Sequence, residues 1–235
     1  MSPPSPGCER IAFFGGSFDP PHLGHIAVAR AAQQALALNK VLFAPVGLQP
    51  LKPSGSSAGF QHRVAMTQLA IAGHPGFELS LIDAPKTHTS SSAPNFTVDT
   101  LTRLRHSLPR ETQLFLLLGA DSFHTFHQWH RAAEIPFLAN LIIASRPGED
   151  LEHPSSSLPS HIALNPLPDE PNRYLLTNPA GDRSQLILLP NLNYDISATQ
   201  LRNQIQRPPI TGQTNEPPML DPVVLAYIHQ HHLYE

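Results

Sequence analysis

His22 and His25 stand three residues apart in the run Gly15-Gly16-Ser17-Phe18-Asp19-Pro20-Pro21-His22-Leu23-Gly24-His25. Imidazoles at that spacing, at the start of a helix, suit phosphate oxygens. The free N–H groups and positive dipole end of a helix N-terminus favour an anion, and the rings add donors on the same side of the first turn. Placing them there takes a strand, a tight loop and a helix. Residues 10–14 (Arg10-Ile11-Ala12-Phe13-Phe14) read as a short apolar strand, and residues 23–38, rich in Ala, Leu and Gln, read as the helix. Between them, Gly15 and Gly16 permit positive φ and close approach of a ligand to the backbone, while Pro20 and Pro21 stiffen the loop.

A second run with chemical content is Asn193-Tyr194-Asp195-Ile196-Ser197-Ala198-Thr199-Gln200-Leu201-Arg202. Ser197 or Thr199 can cap a helix and offer hydroxyl and N–H donors, with Arg202 about one turn further on. Alone, the run reads as a plain cap with a solvated arginine. Paired with the first run, it reads as another anion cradle.

The elements between them alternate as a parallel sheet with crossover helices would. Strands are expected at residues 40–45, 77–81, 114–118, 141–144 and 186–189, and helices at 60–72, 97–108 and 222–232, the last burying Val223, Val224, Tyr227 and Ile228. The expected fold is therefore α/β: a Rossmann-like, doubly wound parallel sheet with helices on both faces, in a single domain spanning residues 1–235. Residues 1–9 read as a flexible N-terminus. Residues 148–184 read as a Pro/Ser-rich, partly ordered insertion, and residues 50–59 as a mobile lid at the ligand-binding end of the second strand.

Composition narrows the function classes. A formal charge of −3 with no long Lys/Arg cluster argues against nucleic acid as a partner. Cys8 is the only cysteine, so neither an internal disulfide nor a cysteine zinc site is expected, and a reducing cytoplasm fits. No signal peptide or bilayer-length apolar run is present, so no membrane association is expected. His124, His127 and His130 recur every three residues, and His229, His231 and His232 flank Gln230. Either set could form an adventitious metal face if helical, but the first overlaps the acceptor loop described below and the second suits a helix C-terminus, so no protein metal site is assigned.

The eleven-residue histidine run is similar to the signature of nucleotidyltransferases that transfer an adenylyl group from ATP, and Ile196 to Arg202 resembles the segment that holds the ATP phosphates from the other side in that family. Four further stretches resemble bacterial nicotinate-nucleotide adenylyltransferase: Asn95-Phe96-Thr97-Val98-Asp99-Thr100-Leu101, Leu118-Gly119-Ala120-Asp121-Ser122, Phe126-His127-Gln128-Trp129 and Ser145-Arg146-Pro147-Gly148. The resemblance implies an ATP site of Gly15, Gly16, Ser17, Phe18, Gly24, Arg146, Ile196, Ser197, Thr199 and Arg202, with His25 and His22 catalytic. It implies an acceptor site of Thr97, Gly119, Asp121, Trp129 and Lys52, with Trp129 stacking on the pyridine ring, Thr97 receiving its carboxylate and Asp121 holding a ribose hydroxyl. The substrates implied are ATP, carrying Mg²⁺ on its phosphates, and nicotinate mononucleotide.

Two departures stand out. His130 takes the place of a family aromatic, and Gln49-Pro50-Leu51-Lys52 keeps a cation where the family lid also has a histidine. Arg63 matches a family arginine and is open to a structural role. Nicotinamide mononucleotide or phosphopantetheine as acceptor, or a non-catalytic nucleotide-binding regulator, remain alternatives. The oligomeric state is open, a homodimer being one option.

No paired carboxylates, activated serine or reactive cysteine accompany these runs, so direct transfer is expected. The acceptor phosphate, with a second pKa of about 6, is already a nucleophile at neutral pH.

Overall fold

The inner strands are near-continuous apolar runs because helices cover both faces of the sheet. The computed structural model describes residues 8–50, 55–85, 94–145, 151, 153–190, 192, 197–206 and 219–235. In chain order the elements are β1 (Arg10–Gly16), α1 (Leu23–Leu36), β2 (Lys40–Pro45), α2 (Phe60–Ile71), β3 (Phe77–Leu79), α3 (Thr97–Ser107), β4 (Gln113–Gly119), α4 (Ala120–His124), α5 (Ile135–Leu138), β5 (Asn140–Ala144), β6 (Ala163–Pro166), β7 (Arg173–Thr177), β8 (Arg183–Leu189), α6 (Ala198–Ile205) and α7 (Pro222–Gln230). Short 3₁₀ turns lie at Phe126–Gln128 and Pro154–Ser157.

The strands form one sheet in the order β3-β2-β1-β4-β5-β8-β7-β6. The six from β3 to β8 are parallel, and the order reverses direction between β1 and β4, the switch point where open α/β sheets bind ligands. Successive side chains alternate between faces. Ala12, Phe14, Phe43, Phe115, Leu117, Ile142 and Ile187 pack against α1, α2, α6 and α7. Ile11, Phe13, Leu114, Leu116, Leu118, Leu141 and Ile143 meet α3, α4 and α5 on the other side. The doubly wound α/β architecture of the sequence reading is thus present.

Two expectations are corrected. The sheet is not wholly parallel: β7 pairs antiparallel with β8, and β6 with β7, so this part of the 148–184 stretch carries the sheet edge. On α7 the inward residues are Val224, Leu225 and Ile228, whereas Val223 is 54% exposed. The helix begins at Pro222, capped by the Asp221 carboxylate accepting from the Val223 N–H at 2.8 Å, and that start turns Val223 outward. No helix among the described residues is long and apolar enough to cross a membrane.

Candidate functional site

β1 ends in the two glycines, which line the cleft without using the positive φ open to them; the left-handed residue of the loop is Phe18, at φ 47°. Space favours glycine here: a Cβ on Gly15 would lie 3.0 Å from the Phe13 ring, and one on Gly16 3.2 Å from the Phe18 ring, so either ring would have to give. Phe18 is buried, edge-on to Phe14 at 5.6 Å and packed against His25 at 5.0 Å, which fixes the loop's path toward α1. The Asp19–Pro20 peptide is cis.

His22 is the N-cap of α1 and His25 its third residue, with ring centroids 3.7 Å apart. The His22 backbone N–H donates to His25 Nδ1 at 3.1 Å. With Nδ1 accepting, the proton of a neutral His25 ring lies on Nε2, which becomes a donor. A phosphate at this helix start therefore meets a ring N–H as well as the helix N-terminus.

The loop is held from behind by two buried ionisable residues. Arg63, 2% exposed, donates to three carbonyls: Ser17 O at 2.7 Å, Val46 O at 2.8 Å and Ala58 O at 3.2 Å. It thus ties the phosphate loop to the end of β2 and the start of α2. Burial pulls its pKa below the ordinary arginine value, with the nearby Asp19 carboxylate opposing. The structural role left open for Arg63 is the one observed. Asp19, which also lines the cleft, accepts on its carboxylate from the Ser57 N–H (2.6 Å), the Ala58 N–H (3.0 Å) and the Tyr234 hydroxyl (2.7 Å).

Ser197 is the N-cap of α6, in a reciprocal capping box with Gln200. Arg202 donates through Nη1 to Asp19 O at 2.7 Å and through Nη2 to Thr199 Oγ1 at 3.1 Å. The arginine therefore joins the histidine run to the start of α6.

On the acceptor side, Thr97 opens α3 and Gly119 caps α4, with Asp121 in its first turn. Trp129 packs on Phe126 at 5.4 Å, and its buried Nε1 has no hydrogen-bond partner. His130 lies 4.3 Å from the Phe96 ring. Asn95 fastens this wall to the segment after β2: its Oδ1 accepts from the Leu48 N–H at 3.0 Å, and its own N–H donates to Leu48 O at 3.0 Å.

A single cleft of about 1140 Å³ is lined by His22, His25, Gly15, Gly16, Ser17, Phe18, Gly24, Ser197, Thr199, Arg202, Thr97, Gly119, Asp121 and Trp129. These are all the candidate residues that fall within the described part of the chain. Lys52, Arg146 and Ile196 lie outside it, as does part of the expected lid, of which Gly55, Ser56 and Ser57 line the cleft. His124, His127 and His130 do not share a helical face, because α4 ends at His124. Among the described residues no group of three or more His, Cys, Asp or Glu is placed to hold a metal ion.

Three lining or supporting residues escaped the sequence reading. Gln49 accepts from the Ser17 hydroxyl at 2.9 Å, Asp83 accepts from the Thr100 hydroxyl and Arg103, and Tyr234 holds Asp19. Gln49 opens the quoted lid run, though no role was read for it, and Thr100 lies within the acceptor segment; nothing in the local pattern marks Asp83 or Tyr234.

Residues 13–204 match the cytidylyltransferase-like family. A probable nicotinate-nucleotide adenylyltransferase of Trichlorobacter lovleyi is 34% identical over 226 residues, covering 96% of this chain and 99% of that protein. The corresponding protein of Roseiflexus sp. is 36% identical over 225 residues, covering 95% and 97%. In structure, Plasmodium falciparum nicotinic acid mononucleotide adenylyltransferase complexed with NaAD matches at a TM-score of 0.70 and 16% identity, over 96% of this chain and 97% of that one. The same enzyme complexed with APC matches at 0.68 and 17%, with the same coverage.

Proposed function

Because the chain belongs to the cytidylyltransferase-like family and, within it, to the nicotinate-nucleotide adenylyltransferases, we propose that it transfers the adenylyl group of ATP to nicotinate mononucleotide, giving nicotinate adenine dinucleotide and pyrophosphate. The observation that carries this reading is the shared cleft: two helix N-termini bearing phosphate-binding side chains face one space with the Thr97–Trp129 wall.

The chemistry is an in-line displacement. An oxygen of the acceptor 5′-phosphate attacks the α-phosphorus of ATP, the bond from that phosphorus to the bridging oxygen breaks, and the pair of electrons leaves with pyrophosphate. No enzyme nucleophile takes part. The protein's contribution is placement and charge stabilisation. His25, its Nε2 proton directed outward by the His22 N–H on Nδ1, donates to the α-phosphate oxygen on which charge builds. His22 holds a neighbouring phosphate, Gly15 to Phe18 and Gly24 line the nucleotide side, and Ser197, Thr199 and Arg202 grip the departing β and γ phosphates. Ile196 and Arg146 complete the nucleotide site by resemblance. The substrate is MgATP, its cation carried by phosphate oxygens, a form that needs no all-protein cage.

For the acceptor, Trp129 provides the ring face, the first turn of α3 at Thr97 receives the pyridine carboxylate through its N–H end, and Asp121 holds a ribose hydroxyl beside Gly119. Lys52 supplies a lid cation by resemblance.

The test is pyrophosphate release measured side by side with nicotinate mononucleotide, nicotinamide mononucleotide and phosphopantetheine. Fastest turnover with the first supports the reading. Preference for either of the others overturns the acceptor assignment, and ATP binding without pyrophosphate release from any of the three makes the chain a nucleotide-binding regulator.

A further inference from the structure

The last turn of the chain curls beneath the phosphate loop. His232 (φ 50°) and Tyr234 (φ 67°) both adopt the left-handed conformation that bulky L-residues avoid, so the turn is held there by what it touches. Tyr234 is half-buried, and its hydroxyl donates to Asp19 Oδ1 at 2.7 Å. Burial, and then this bond to a carboxylate, push the hydroxyl's pKa up, so it remains a donor.

Asp19 is the junction of the site. Its carboxylate accepts from the Ser57 and Ala58 N–H groups at the foot of the lid segment, and its carbonyl accepts from Arg202. Without the hydroxyl, the carboxylate keeps the Ser57 N–H on Oδ2 and the Ala58 N–H on Oδ1 but loses its hydroxyl donor, so its charge, in a residue that lines the cleft, is less well offset and opposes that of ATP. The carbonyl that orients Arg202 belongs to the same residue and loses the same support.

We propose that Tyr234 is a positioning residue for ATP, acting through Asp19 to hold and partly offset a negative charge beside the phosphate site and to keep Arg202 aligned with it. This rests on the reading of the cleft as an ATP site. It adds the penultimate residue to a clamp otherwise built from the first β–α loop and α6.

Tyr234→Phe keeps the ring and removes only the donor. With the full chain and MgATP alone, isothermal titration should show affinity about tenfold weaker, the scale of a lost hydrogen bond to a charged group. In turnover assays KM for ATP should rise likewise, while KM for nicotinate mononucleotide stays within about twofold. On an Asp19→Asn background the same substitution should cost much less, because the charge it restrains is gone.

Unchanged ATP affinity in Y234F overturns the proposal. So does an equal loss for both substrates with a lowered melting temperature, an undiminished Y234F penalty in the D19N chain, or a Y234F chain that does not fold, since each would make Tyr234 a general support for the fold. If the parent binds ATP yet does not use nicotinate mononucleotide, the acceptor reading falls while the titration still decides the role of Tyr234; a parent that does not bind ATP overturns both.

Discussion

His25 and Arg63 show two ways in which one side chain serves the same loop. His25 faces the cleft, and its Nδ1 is already occupied by the His22 N–H, so truncation removes a donor together with a ring contact to Phe18. His25→Ala should lower kcat about 10²- to 10³-fold, the scale for losing one donor to developing charge, in a chain that still folds cooperatively. Turnover within a few-fold of the parent would remove His25 from the mechanism. Arg63 faces inward, and Arg63→Met would leave the carbonyls of Ser17, Val46 and Ala58 without their donor. We expect a loss of about 3 kcal/mol or more in chemical denaturation, together with weakened ATP binding. A substitution costing under about 1 kcal/mol would show that water replaces the guanidinium without penalty. His25 was legible because its chemistry follows from type and spacing. The task of Arg63 was not, since nothing local marks an arginine that points at three carbonyls from other segments.

Elements were legible in proportion to how fully they are buried. β4 and β5 are apolar runs with helices on both sides, and β2 was placed to the residue, but β6 is a four-residue edge strand that is mostly exposed and ends in Pro166. Such a strand has no hydrophobic face to display a period of two. α4 and α5, at five and four residues, are too short to show a helical period. Ends are set by local chemistry: α1 stops before Ala37, which turns left-handed at φ 47° with no glycine to announce it. Within the helix, Arg30 fastens α1 to the turn after α2, its Nη2 donating to His74 Nδ1 at 2.7 Å. Burial first, and then the Arg30 charge, hold the His74 pKa below its ordinary value. The unfolded chain therefore binds this proton more readily, so the stability His74 contributes is present above about pH 6.5 and is lost as pH falls through the lowered folded value. NMR titration should find His74 the more acidic imidazolium in the parent and raised, but not fully restored, in Arg30→Ala. Full restoration would mean that charge, and not burial, dominates.

At the scale of the whole molecule, the proposed phosphate clamp joins segments that are far apart in sequence. Arg202 reaches the Asp19 carbonyl across 183 residues, and α1 and α6 aim their N-termini into one cleft only when the sheet between them is complete. That convergence was readable in part: each run suggested an anion site, but their meeting depends on a sheet whose order reverses between β1 and β4. A ligand that spans both runs binds the folded chain and not the unfolded one, so its affinity adds to stability by mass action. ATP at about a hundred times its Kd should contribute about 2.7 kcal/mol. For a chain of this size, that corresponds to a melting temperature higher by roughly 5–10 °C. Arg202→Ala should leave the nucleotide-free melting temperature within about 2 °C, because α6 keeps its Ser197–Gln200 cap and the buried Leu201, yet should lose most of the ATP-induced rise at the same concentration. Scanning calorimetry with and without MgATP reads both quantities on each chain. An undiminished rise in the variant would mean that the first β–α loop binds the triphosphate alone and that α6 stands beside the nucleotide without holding it.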